Sequence, residues 1–208
     1  MSEEQLSALL VRTAEFQQTV LAHVGDLTVE GARYQVAFRA GLLSLEHAAA
    51  ALVLVKHGLL ASAYALMRPQ YECLVRGIWL LHAANDAWIM KLSKPLTLEA
   101  ARQANEGPML AEMLKQLENC SNSPAGIVQQ LKEYRDIAWK AMNSHTHGGL
   151  HPIARTLVGY PAQLTCDVMR NSNAVVALTA QLASILSGDH RNMDTVRRFH
   201  TEFADCIR

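Results

Sequence analysis

The chain has 208 residues, and its 19 Lys+Arg balance 19 Asp+Glu, so the formal charge is zero with the nine histidines neutral. That balance lacks the basic excess of most nucleic-acid binders, and a mix of 50% hydrophobic and 18% charged residues is too apolar for a disordered chain. Ala and Leu fill 30 and 29 positions, which favours helix, because neither loses much freedom there while the β-branched residues that suit strands are scarce.

In chain order, Leu6, Leu9, Thr13, Phe16, Val20 and Val24 recur at three- and four-residue steps and predict a first helix over 4–24, closed by Gly25-Asp26. A second helix is expected over 30–57, with Gly58 as its C-cap. A third is expected over 60–84, kinked by Pro69, because proline removes one helical bond and clashes with the carbonyl four residues back. The more polar segment 86–119 holds expected short helices near 86–92, 98–105 and 109–118. Ser121-Asn122-Ser123-Pro124 then forms a loop and cap, and the next long helix runs to His145. Gly148-Gly149 ends it, and a loop is expected as far as Tyr160. Pro161 opens a helix to Leu186, and a last helix follows over 190–206. The expectation is an all-α chain, one domain over 1–208. It is a single helical bundle of about five long helices with a short helical insertion around residues 86–120.

The N-terminus, Met1-Ser2-Glu3-Glu4, is acidic and lacks the basic start of a secretory signal. The most apolar stretch, 41–67, is broken by Glu46, His47, Lys56, His57 and Gly58. Its longest clean run, 48–55, falls well short of the roughly 20 residues of a bilayer span. A buried helix, no membrane and a cytoplasmic location are expected. Cys73, Cys120, Cys166 and Cys206 are far apart with no C-x-x-C pair, as for reduced thiols buried as small hydrophobes.

In a helical bundle the informative residue is a polar one on an inward stripe, where it must be satisfied or used. Glu46-His47 interrupts the most apolar part of the second helix, either inside the bundle or at its rim. In Arg68-Pro69-Gln70-Tyr71-Glu72, the arginine and glutamate are four apart and suited to pair. The proline leaves the Ala65 carbonyl without its helical donor. Val128, Leu131, Arg135, Ala138, Met142 and His145 form a stripe with Arg135 at a core position. An inward arginine needs a carboxylate or an anion, with Glu46 and Glu72 the candidates on other helices; alternatively it snorkels at the edge. His145, His147 and His151 fall in one seven-residue turn, followed by Arg155. They suit an anion or ligand contact, a metal site lacking a further ligand, or plain capping. Leu164, Val168, Asn171, Val175, Leu178, Leu182 and Ile185 form a seam with a single Asn, which favours helix pairing, including between subunits. No phosphate-binding glycine loop, nucleophile elbow or paired E-x-x-H of a di-iron bundle is present.

The combination of Arg68-Pro69-x-x-Glu72, Tyr134-Arg135 and Asn143-x-x-x-His147-Gly148-Gly149 resembles uncharacterised bacterial all-α families classed as domains of unknown function. In these an arginine and glutamate on one helix accompany a late histidine–glycine turn. The likeness covers about residues 60–155. Such families are loosely similar to the HEPN group of helical domains, many of them metal-independent RNases of toxin–antitoxin and phage-defence systems with an R-x(4–6)-H motif. Arg76 to His82 has that spacing, although the usually polar position after the arginine is Gly77 here.

The expected function is binding of a small anionic ligand, or of a partner helix, by an inner cluster of Glu46, Arg68, Glu72, Arg135, His147 and Arg155. No cofactor is expected, and the chain is expected to form a homo-dimer. The resemblance implies an alternative, a HEPN-like RNase with His145 or His147 as acid–base and arginine steadying the phosphate; only then is nucleic acid a partner. The second alternative is a metal site on His145, His147 and His151, completed by Glu46 or Glu72.

Overall fold

The computed structural model describes residues 2–95, 97–99 and 107–207, and every regular element among them is helical. These are α1 (Glu3–Gly25), α2 (Ala32–Lys56), α3 (Leu60–Ala65), α4 (Met67–His82), α5 (Asp86–Ser93), α6 (Leu110–Glu118), α7 (Ala125–Thr146), α8 (Leu150–Val158), α9 (Ala162–Leu186) and α10 (Asn192–Glu202). Ser2 opens α1 with a capping box, its hydroxyl accepting from the Gln5 amide while the Gln5 side chain accepts from its own. The predicted stripe of α1 is buried from Leu9 through Phe16 to Val24.

Helix α9 is the centre of the bundle, touching α1, α2, α4 and α10. Two apolar clusters flank it. One gathers Tyr71, Leu74, Trp79, Leu114, Leu117 and Leu131, and the other Phe16, Val20, Met169, Val176, Phe199 and Phe203. Each fully buried side chain of this size contributes roughly 1.5–3 kcal/mol. Helices α2 and α4 share the most extensive helix–helix contact. A Cβ on Gly77 would lie 2.8 Å from Leu182 Cδ2 and 3.1 Å from the Ala37 carbonyl oxygen. Gly77 is therefore a packing residue. Among the described residues α2 alone is long and apolar enough to cross a membrane; here its Ala37, Ala40, Ala48 and Ala51 are buried.

The all-α class stands, and the element count is corrected. The third predicted helix is two, α3 and α4, separated at Leu66. The break falls one turn before Pro69, where the ring would meet the Ala65 carbonyl. The predicted loop after Gly149 is mostly α8, because Pro152 sits in its first turn, where proline costs no helical bond. The short helix expected over 98–105 lies largely outside the described residues. Helix α9 keeps a different asparagine fully inside. Its buried asparagine is Asn173, which donates to Thr13 Oγ1 and to the Cys206 carbonyl, both at 2.9 Å. That pairing is within the chain, whereas Asn171 is only partly covered.

Candidate functional site

The segment containing Pro69 is a junction of three helices. The Ala65 carbonyl, freed by the proline, accepts a hydrogen bond of 3.1 Å from Thr146 Oγ1 at the end of α7. Gln70 is buried and reciprocally paired with α9. Its Nε2 donates to the Ser172 carbonyl at 2.9 Å, and its Oε1 accepts from Ser172 Oγ at 2.8 Å. Tyr71 donates to the Leu131 carbonyl at 2.6 Å. On the outer face, Arg68 Nε binds Glu72 Oε1 at 2.8 Å, a second guanidinium nitrogen meets His147 Nε2, and the guanidinium lies 4.9 Å from the Trp139 ring centroid. Arginine only donates, so the imidazole is the acceptor in this contact.

Behind this junction, α3, the start of α4, α7, α8 and α9 enclose an open cavity of about 340 Å³. Met67, Ala138, Ala141, Met142, Leu164 and Val168 form most of its wall. The polar residues are Tyr64, Tyr134, His145, His151, Arg155, Asp167 and Asn171. Asp167 accepts two hydrogen bonds of 3.0 Å from Gln163. Tyr64 donates to Thr165 Oγ1 at 2.8 Å. Burial pushes its hydroxyl up to about 12, against the pull of that hydrogen bond.

His145 is the hub of the polar part. Its ring centroid lies 5.2 Å from Tyr64, 6.0 Å from His151 and 6.3 Å from Tyr160. Burial holds its imidazole below the usual histidine value, and His151 and Arg155 add to the effect. A buried imidazole loses hydration most in its charged form, and nearby cationic groups oppose that charge. His145 Nδ1 and the Tyr160 hydroxyl are buried with no hydrogen-bond partner. Unpaired buried polar atoms of this kind cost about 1–3 kcal/mol each.

The structure divides the sequence candidates. Arg68, Glu72 and His147 converge. His145, His151 and Arg155 converge separately, on the cavity. Glu46 does not join either group; it is exposed on α2. Arg135 is partly covered and pairs with its neighbour Asp136 at 2.6 Å, not with Glu46 or Glu72. The three histidines are therefore split, with His147 turned to Arg68. Among the described residues no group of three His, Cys, Asp or Glu is placed to hold a metal ion. Arg76 and His82 stay on α4, remote in role from the cavity: neither lines it, and the His82 carbonyl accepts from Cys120. Sequence reasoning missed Tyr64, Tyr160 and Asp167, and it read Asn171 as part of a helix-pairing seam and not as a cavity residue. The only forewarning was the apolar spacing of Leu150, Ile153 and Leu157, which marks α8, the helix that carries His151 and Arg155 to the cavity.

Residues 41–208 match a family described as "Family of unknown function (DUF6988)". The chain belongs to this family. The match begins inside α2 and takes in every residue of the cavity and of the Arg68 junction, leaving α1 outside it. The expected kinship with an all-α family of unknown function thus holds. No curated protein and no solved structure matches the chain.

Proposed function

We propose that this chain binds a small molecule with an apolar, ring-sized body and an acidic head in the cavity bounded by α3, α7, α8 and α9. The observation that carries this reading is the cavity itself, about 340 Å³ with an apolar wall and with His145, His151 and Arg155 around one region of it. Small-molecule sites have volumes of about 300–1,000 Å³, apolar linings and a few convergent polar groups. Arg155 supplies the positive charge that an acidic head would meet. The expected set of Glu46, Arg68, Glu72, Arg135, His147 and Arg155 is thereby replaced, as a ligand site, by a set in which only Arg155 remains.

The test is a calorimetric titration of the intact chain with 2-naphthoate, repeated on Ala141→Phe, which fills the cavity from α7. One-to-one binding that Ala141→Phe abolishes, with the helical circular dichroism retained, is the expected result. Undiminished binding to Ala141→Phe places the ligand elsewhere and removes this reading.

The RNase reading rests on one observation, the hydrogen-bonded Arg68–His147 pair beside Glu72, which has the residue types of a metal-independent phosphodiester cleavage. Cleavage of RNA in EDTA, lost in His147→Ala and Arg68→Ala, supports it. Unchanged RNA in the same assay removes it.

A further inference from the structure

The exposed faces of α7 and α8 carry large apolar side chains without cover within the chain. Leu150, Ile153, Leu157 and Val158 are 61–88% exposed, and Ile137 on α7 is 85% exposed. Soluble chains seldom leave so many large apolar side chains together in water unless something binds there. The spacing of Leu150, Ile153 and Leu157 puts them on one side of α8, and its other side supplies His151 and Arg155 to the cavity. Helix α8 thus turns its apolar side outward.

We propose that this face pairs with a second copy of the same chain across a two-fold axis near Ile137. The charge pattern of α7 favours self-pairing. Along its exposed side, Glu133 and Asp136 precede Ile137, and Lys140 follows it. Two α7 helices laid antiparallel about Ile137 bring Lys140 of each copy level with Glu133 of the other. The like-charged arrangement of a parallel pair is avoided. An isologous contact of this kind uses one surface twice and closes on itself. Ile137 also lines the cavity, so the second copy roofs its mouth. The pairing does not depend on whether the cavity holds a ligand.

Sedimentation equilibrium on the full chain tests this. The wild type is expected at the mass of two 22.9 kDa chains. Ile137→Glu with Leu157→Glu is expected at the mass of one, with its helical circular dichroism unchanged, because both side chains are exposed on the single chain. Glu133→Lys or Lys140→Glu alone is expected to weaken the dimer about tenfold, and the two together to restore it, as swapped charges meet again. A wild type that sediments as one chain overturns the proposal. So does a dimer indifferent to the Ile137 and Leu157 changes, or a charge-swapped double variant no tighter than the single ones. Flotation of the chain on phospholipid vesicles, abolished by the same apolar changes, assigns the face to a lipid surface and also overturns it.

Discussion

Thr146 Oγ1 donates to the Ala65 carbonyl across 3.1 Å, taking the place of the amide that Pro69 lacks. One missing donor in the α3–α4 segment is thus turned into a tether for the end of α7, a few residues from the cavity's His145.

Thr146→Val is therefore expected to cost about 0.5–1.5 kcal/mol, the net worth of one such hydrogen bond. In a Pro69→Ala background, residue 69 regains an amide able to satisfy Ala65, and the cost of Thr146→Val should shrink. Urea denaturation of the four chains measures the coupling. Equal costs in both backgrounds contradict the assignment.

Acid should weaken the fold through the histidines it buries. Burial lowers His145, His23 and His82 below the usual value. As pH falls, the unfolded chain takes up these protons first. The stabilisation is thus complete above about pH 6.5 and is lost between there and the depressed folded values. For His145 the surrounding titratable groups are Tyr64, Tyr160, His151, Arg155 and Asp167. None of the first four favours its protonated form as a carboxylate would, and Asp167 is held by Gln163. Melting temperatures should fall between about pH 7 and pH 5, and less steeply for His145→Gln. An unaltered slope in that variant contradicts this account of His145.

Two glycine-to-alanine changes should act in opposite directions. Gly77→Ala drives a methyl against the Ala37 carbonyl and Leu182 and is expected to cost about 1–3 kcal/mol. Gly126, in the first turn of α7, has open space where its Cβ would go. Gly126→Ala should stabilise by about 0.4–1 kcal/mol, chiefly by restricting the unfolded chain. Chemical denaturation compares the two, and a shared sign contradicts the packing at Gly77.

Much of the fold is legible in the sequence, because burial follows helical spacing directly: the α1 stripe through Phe16 and the break ahead of Pro69 are local consequences of local residues. Helix α8 is harder to read, since Gly149, Pro152 and Gly159 together resemble a loop. Arg135 misleads for a different reason. Adjacent residues on a helix do not normally face each other, so spacing points to a carboxylate on another helix, whereas the guanidinium folds back onto Asp136. The cavity is the least legible feature. Tyr64, His145, Arg155 and Asn171 come from four helices, and no sequence period links them.

The most direct test of the small-molecule reading compares 2-naphthoate with its neutral counterpart, 2-naphthalenemethanol, by calorimetry on the wild type and on Arg155→Gln. The wild type should favour the carboxylate by about tenfold, the worth of one charge-assisted hydrogen bond of about 1.5 kcal/mol. The preference should widen as pH falls and His145 gains its proton. Arg155→Gln should lose the preference while keeping its affinity for the alcohol. Equal affinities for acid and alcohol in the wild type, or no binding of either, would contradict it.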